Sequence, residues 1–323
     1  MTNKSKSISI VVPAYNEEGN IQKLYDEIMK NIDHQSLLEL IFVDDGSKDN
    51  TWQMINNLHN EDHRVVGMRF SRNFGHQYAL LAGLSAAKGD AVITMDADLQ
   101  HPPELIPVMV EKWREGYKIV KTVRRNNERI SFFKRITSYV FYKVFSFLCG
   151  VELSDGMADF RLLDRMVVQH IIQNREVSLF LRGLIEWVGF ESSIIEYTSK
   201  ERFSGTTKYS FVKMVRLAWA GITSFSIIPL RFGIILGIFS SSYAFYRLFY
   251  AIYIKLFTNS AVPGWASIIG VVSLLFGFLF ILLGIIGEYI GRILIQVQGR
   301  ERFIVSDCTE SVIPTNKPLS GSF

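Results

Sequence analysis

The chain has 323 residues, 48% of them hydrophobic, and a formal net charge of +4 at pH 7; its mean hydropathy is +0.17. That length has room for a sizeable core in one large or two smaller domains. The apolar excess is high for a wholly soluble protein, and so mild a positive charge suits anionic lipid and phosphate and excludes a nucleic-acid footprint. The two cysteines, Cys149 and Cys308, stand far apart in no metal spacing, which argues against a disulfide framework and for a reducing compartment.

At the N-terminus, Lys4 and Lys6 precede an apolar run at 8–12 that Ser9 interrupts and Pro13 stops. The run is too short for a signal peptide, so the N-terminal part is expected in the cytoplasm. From residue 8 to about 122, β-rich runs at 8–12, 40–43, 65–70, 91–95 and 118–122 alternate with amphipathic stretches at 17–31, 49–60 and 77–87. This alternation predicts an α/β domain whose largely parallel sheet is covered on both faces. Turn chemistry follows three strands: Pro13-Ala14-Tyr15-Asn16, Asp44-Asp45-Gly46-Ser47 and Asp96-Ala97-Asp98.

The third turn carries most information. A strand ending in Asp-x-Asp presents two carboxylates at the carboxyl edge of the sheet, where open α/β sheets bind ligands. Two hard oxygen donors suit Mg²⁺ or Mn²⁺, which bind carboxylates together with substrate phosphates. A diphosphate leaving group is the natural client. Acidic turns after strands are also common without any metal.

Residues 130–230 read as less regular: a helix candidate at 132–148, a loop around 154–159, a helix-strand stretch to Tyr197 and a basic loop at 200–208. Next, Phe211, Met214, Val215, Ala218 and Ile222 share a helical face flanked by Lys208, Lys213 and Arg216, the pattern of a helix lying in a membrane interface. Two spans follow. One covers about 232–254, with Arg247 near its far end; the other is an uncharged run of about twenty-one residues from 266, long enough to cross a bilayer. Arg231, Arg292, Arg300 and Arg302 flank the pair, against the single Lys255 in the linker, so both ends are expected in the cytoplasm. The expected organisation is a catalytic domain over 1–206, an interfacial segment over 207–230, a two-helix membrane hairpin over 231–292 and a tail over 293–323 with a disordered end.

The motifs Val11-Val12-Pro13-Ala14-Tyr15-Asn16-Glu17-Glu18, Phe42-Val43-Asp44-Asp45-Gly46-Ser47-Lys48-Asp49 and Met95-Asp96-Ala97-Asp98-Leu99-Gln100 resemble the three signatures of family-2 glycosyltransferases with the Rossmann-like GT-A fold. Further stretches narrow the likeness: Ser71-Arg72-Asn73-Phe74-Gly75, Ala158-Asp159-Phe160-Arg161-Leu162, Leu181-Arg182-Gly183, Trp187-Val188-Gly189-Phe190 and Gly205-Thr206-Thr207-Lys208-Tyr209-Ser210. With two C-terminal spans they resemble the bacterial polyisoprenyl-phosphate glycosyltransferases, a group that includes bactoprenol glucosyltransferases and is similar to dolichol-phosphate mannose synthases. The resemblance covers about residues 8–303.

It implies that Pro13, Tyr15 and Glu17 hold the base and ribose of a sugar nucleotide and that Asp44 contacts the base. It implies further that Asp96 lies by the ribose or metal, that Asp98 ligates Mg²⁺ or Mn²⁺ at the diphosphate, and that Gln100 sits in the metal's shell. Residue chemistry agrees, since Tyr15 can stack and carboxylates accept from hydroxyl and N–H groups. Glu17 also reads as a first-turn helix acid, and Asp44 as a turn cap before Gly46. For the acceptor, Arg124 and Arg135 match the family's phosphate-binding arginines, whose forks suit phosphate. Arg202 and Lys208 lie on a loop able to close over the site, and all four also read as solvated or juxtamembrane charges.

The implied reaction is attack of a polyprenyl-phosphate oxygen on sugar C1, displacing nucleoside diphosphate with inversion. Asp159 matches the general base assigned in close bacterial relatives, and Asp155 aligns with an acid of the dolichol-phosphate enzymes. A phosphate monoester has its second pKa near ~6 and needs little help from a base, so Asp159 also reads as orienting Arg161 or a phosphate-binding arginine. Glucose from a UDP-sugar is the expected donor group, with N-acetylglucosamine or GDP-mannose as alternatives, and a homo-oligomer is plausible. A processive polysaccharide synthase would carry Gln-x-x-Arg-Trp and more spans, a two-span channel would leave the soluble part unexplained, and an inactive nucleotide-binding scaffold would not need both Asp98 and Gln100.

Overall fold

The computed structural model describes residues 6–125, 157–174, 180–198, 228–257 and 264–309. These fall into two compact units, one built on a sheet and including residues 301–309, the other holding two long helices. In chain order the sheet unit runs β1 (Ile8–Ala14), α1 (Ile21–Asn31), β2 (Leu37–Asp44), α2 (Thr51–Glu61), β3 (Val65–Phe70), α3 (His76–Ala86) and β4 (Ala91–Thr94). After a 3₁₀ turn at Pro103–Leu105 come α4 (Ile106–Arg114), β5 (Ile119–Arg125), β6 (Met157–Asp164), α5 (Arg165–Gln173), α6 (Leu181–Trp187) and β7 (Ser192–Thr198). The helical unit contains α7 (Ile228–Phe257) and α8 (Trp265–Val297), after which β8 (Val305–Cys308) belongs again to the sheet unit.

The sheet order is β7-β5-β6-β4-β1-β2-β3-β8. β4, β1, β2 and β3 are parallel neighbours, and all seven residues of β1 are buried, as a strand covered on both faces requires. Alternate side chains divide between two cores. Ile8, Ile10, Val12 and Phe42 meet Ile21 and Leu24 of α1, Ile55 of α2 and Met109 of α4. Val11, Ile41 and Met68 meet Leu80 and Leu84 of α3, Val167 of α5 and Leu184 of α6. The loops after β1, β2 and β4 then emerge together at the carboxyl edge of the parallel strands.

Two features depart from the reading of the sequence. Residues 157–159, expected in a loop, open β6, which runs antiparallel between β4 and β5 with Thr94 opposite Arg161 and Ile119 opposite Leu163. The parallel run therefore stops at β4, and β5 pairs in parallel only with β7. The charges of Asp159 and Arg161 hid this strand. They are tolerated in the interior because they pair with each other at 2.9 Å, which removes most of the cost of burying either alone. The second feature is β8, an antiparallel edge strand on β3. Ser71 N donates to Ile304 O at 3.0 Å, Gly67 N donates to Thr309 Oγ1 at 2.9 Å, and Phe303 stacks on Phe70 with ring centroids 5.0 Å apart.

In the helical unit, Leu230–Ile254 and Gly270–Val297 are long and apolar enough to cross a membrane, by length and composition. Phe232, Phe239, Phe249, Phe280 and Ile293 are exposed on them, unlike the side chains of a soluble core helix. The helix candidate at 132–148, the basic loop at 200–208 and the amphipathic face at 211–222 lie outside the described residues.

Candidate active site

The first two loops interlock. β1 ends at Ala14, leaving Tyr15 42% exposed, and Asn16 takes a left-handed φ of 55°. Asn16 N donates to Ser47 Oγ at 2.9 Å, Lys48 N donates back to Asn16 Oδ1 at 2.9 Å, and Glu17 N donates to Thr51 Oγ1 at 2.8 Å. Pro13 is buried within β1 opposite Val43. Asp44, at the end of β2, is fully buried. Its Oδ1 accepts from Ser47 N at 2.8 Å, while its Oδ2 makes no hydrogen bond and faces Arg69 Nε at 3.3 Å. Gly46 has φ 69°, and a Cβ there would stand 2.5 Å from the Arg72 carbonyl carbon, so only glycine fits this turn.

The neighbouring Asp45 has a different job. Its carboxylate accepts from Phe74 N at 2.7 Å and Gly75 N at 2.9 Å. Burial pushes its pKa up, against the pull of those two N–H groups.

The third loop follows β4. Asp96 N donates to His101 Nδ1 at 3.0 Å, which places the proton of neutral His101 on Nε2, 3.6 Å from Asp96 Oδ2. His101 is itself buried and stacked on Phe160, with centroids 5.3 Å apart. Asp98 Oδ1 accepts from Gln100 N at 3.1 Å, bracing Leu99 in a left-handed turn at φ 61°. Among the described residues, Asn16 and Leu99 alone combine a side chain with positive φ. Both stand in these loops, as strained residues at functional sites tend to. Gln100 Oε1 accepts from Arg124 Nη1 of β5 at 3.3 Å.

Beside this loop, β6 supplies Asp159. Its Oδ1 accepts from Arg161 Nη2 and Arg182 Nε, and its Oδ2 from Arg182 Nη2, each at 2.9 Å. His76 Nε2 stands 3.4 Å from the same Oδ2 and 3.5 Å from Asp96 Oδ1. Burial works against the charge of Asp159, but His76 and the two arginines outweigh it and hold the carboxyl well below 3.8. For His76 the desolvation that opposes charge is likewise overcome, by Asp159 and Asp96, and its pKa is raised above 6.5. α6 carries Arg182 and Glu186 on one helical face, and Glu186 closes a 2.8 Å ion pair with Lys121 of β5. These two contacts fix the helix against the sheet.

The donor set fits a hard divalent cation. Asp96 Oδ1 is buried without a hydrogen bond. Burial raises the pKa of Glu17, and repulsion from Asp98, Asp49 and Asp96 adds to the rise, so a nearby cation would relieve the cluster. Among the described residues no group of three or more His, Cys, Asp or Glu is arranged to enclose a metal. Such an ion would complete its coordination with substrate oxygens and water, as Mg²⁺ commonly does.

Asp96, Asp98, Gln100, Arg124 and Asp159 are thus brought to one edge of the sheet, with Asp44, Tyr15 and Glu17 on the adjoining loops. Arg135, Asp155, Arg202 and Lys208 lie outside the described residues. The sequence alone assigns no role to His76 or Arg182. His76 follows the Ser-Arg-Asn-Phe-Gly stretch and Arg182 sits inside Leu-Arg-Gly, so those two motifs were the available signal.

Residues 9–172 match the model of the family described as glycosyl transferase family 2. Similar proteins include the uncharacterized glycosyltransferase YkcC of Bacillus subtilis, 43% identical over 92% of this chain and 92% of that one. A prophage bactoprenol glucosyl transferase homolog of Escherichia coli is 39% identical over 92% of this chain and 98% of that one. The bactoprenol glucosyl transferase of Shigella phage SfII is 39% identical over 92% and 97% respectively. With its Asp-x-Asp turn at the carboxyl edge of a mostly parallel GT-A-like sheet, the chain belongs to glycosyl transferase family 2 and is a glycosyltransferase.

Proposed function

We propose that the enzyme transfers glucose from UDP-glucose to a polyprenyl phosphate of the undecaprenyl type, with inversion, at the cytoplasmic face of a membrane. The observation that carries this reading is the meeting of Asp96 and Asp98 with Arg124 and the Asp159–Arg182 pair at one sheet edge, in a chain that also bears two exposed apolar helices. The names of the bactoprenol glucosyl transferases support the acceptor and the sugar. The hairpin over 231–292 would keep the enzyme beside its lipid substrate.

Tyr15, Pro13 and Glu17 line the base and ribose side, and Asp44 Oδ2, which makes no hydrogen bond and faces Arg69, accepts from a base N–H. Asp98 and Asp96, with Gln100 adjacent, would hold Mg²⁺ or Mn²⁺, which would offset charge on the diphosphate. Arg124, with Arg135, Arg202 and Lys208, attracts the acceptor phosphate. A phosphate oxygen forms the new bond to sugar C1 as the bond from C1 to the diphosphate oxygen breaks, and the electron pair leaves with nucleoside diphosphate. The acceptor, with a second pKa near ~6, arrives largely ionised. Asp159 is therefore best placed as an anchor for Arg182 and Arg161, with Asp155 assisting from the preceding segment; its low proton affinity supports that role over base catalysis.

The test is a matrix of UDP-glucose, UDP-N-acetylglucosamine and GDP-mannose against undecaprenyl phosphate, a soluble phosphate ester and water, using full-length protein in detergent. Label from UDP-glucose alone entering the lipid phase is the expected result. Preference for another donor overturns the sugar, and transfer only to the soluble ester overturns the lipid acceptor.

A further inference from the structure

His76 is the first residue of α3, and one ring nitrogen, Nε2, lies 3.5 Å from Asp96 Oδ1 and 3.4 Å from Asp159 Oδ2. The two carboxylates come from different neighbourhoods, the turn after β4 and the antiparallel β6. Both are ion-pair distances, so a single ring nitrogen stands between two carboxylates. Asp96 Oδ1 is buried and has no hydrogen bond of its own, so His76 is the polar group facing it.

The mounting of the ring is equally specific. Asp45 accepts from the N–H groups of Phe74 and Gly75, and Gly75 takes φ 111°, open to glycine and costly for other residues. That turn sets the direction in which α3 starts. Next to His76, Gln77 Oε1 accepts from Leu181 N at 3.1 Å, tying the start of α3 to the start of α6. α6 is the helix that carries Arg182 to Asp159. The two groups that reach Asp159 from the helices, His76 and Arg182, are thus mounted on elements fastened to each other.

We propose that His76 is a positioning residue for glycosyl transfer, its Nε2 standing between Asp96 and Asp159 and so setting the gap between the donor side of the cleft and the Asp159–Arg182 clamp. This rests on the reading that Asp96 faces the sugar nucleotide. Loss of the bridging ring nitrogen leaves Tyr15, Asp44 and Asp98 able to bind nucleotide but lets the two carboxylates move. A misplacement on the order of 1 Å costs up to about 100-fold in rate, and it falls on kcat more than on donor binding.

The experiment compares wild type, His76→Leu and His76→Gln as full-length protein in detergent. Leucine keeps bulk without a donor, whereas glutamine keeps an uncharged N–H at similar reach. Three quantities are read: UDP affinity by calorimetry with Mn²⁺, kcat and KM for transfer to undecaprenyl phosphate, and the slow hydrolysis of UDP-glucose by water. The expected result is His76→Leu slowed by about 30-fold in kcat, with UDP affinity within about threefold of wild type and most of the rate restored in His76→Gln. A His76→Leu rate within about threefold of wild type overturns the proposal, as does a glutamine variant that folds but is as slow as leucine. Hydrolysis needs no acceptor and so separates the two claims. A wild type that hydrolyses donor but loads no lipid overturns the acceptor reading, while the His76 comparison is still decided on the hydrolysis rates.

Discussion

Arg182 grips Asp159 through two parallel hydrogen bonds, Nε to Oδ1 and Nη2 to Oδ2, each 2.9 Å long. Arg161 adds a third at 2.9 Å. A carboxylate so engaged is a strong anchor and a weak proton acceptor. The pairing of β6 with β4 brings this anchor beside the Asp-x-Asp turn, so the turn and the arginine clamp share one sheet edge.

The pH dependence of turnover separates anchor from base. Asp159 is held well below 3.8, so it is ionised throughout neutral pH and contributes no acid limb there. The wild-type rate is expected to follow the acceptor phosphate, rising through about pH 6. Asp159→Asn should lower kcat by about tenfold or more and leave that limb in place. A limb that disappears in Asp159→Asn would assign it to Asp159 as a base.

Metal dependence should reside in the Asp-x-Asp turn. UDP affinity is expected to rise with Mn²⁺ in wild type and to become insensitive to Mn²⁺ or chelator in Asp98→Ala, at a cost of about tenfold or more. Calorimetry with and without chelator checks this. Equal metal dependence in the variant would move the metal elsewhere.

The tail strand should stabilise the catalytic sheet. Phe303 is 6% exposed and stacked on Phe70, so Phe303→Ala should destabilise the sheet unit by about 3 kcal/mol. Hydrogen exchange at Gly67 and Ser71, whose N–H groups bond to the tail, should speed up markedly. Unchanged protection there would show that β8 is dispensable.

Acid should weaken the packing of α1 and α2 in a defined window. Asp62 accepts from Tyr25 Oη at 3.0 Å and from Arg64 Nη2 at 2.7 Å, and chiefly the Arg64 bonds lower its pKa to about 2. A carboxyl depressed in the folded state stabilises above its unfolded value near ~4 and loses that contribution as pH falls toward about 2. Asp62→Asn should cost about 1 kcal/mol at neutral pH, since Arg64 is partly solvated, and flatten the stability curve below about pH 4. Urea titrations across that range measure it.

Much of this was legible from residue patterns. The run expected at 65–70 coincides with β3 (Val65–Phe70), and those at 8–12, 40–43 and 91–95 fall within about two residues of the observed ends apart from an early start to β2. Apolar runs bounded by turn residues mark buried parallel strands well. β6 escaped notice because Asp159 and Arg161 break its apolar pattern, and their pairing is visible only once the strand is in place. β8 is short and polar, and its reason for existing is the distant edge of β3. The one local signal for His76 is its place after the Ser-Arg-Asn-Phe-Gly stretch; its meaning comes from Asp96 and Asp159, 20 and 83 residues further along the chain.

The most direct measurement follows radiolabelled UDP-glucose incubated with purified full-length protein, undecaprenyl phosphate and Mn²⁺ in detergent, with Asp98→Ala in parallel. The account predicts one labelled lipid, a glucosyl phosphate of inverted anomeric configuration, formed with equimolar UDP and absent from the variant. UDP with only free glucose, a retained anomer, or undiminished product from Asp98→Ala would contradict it.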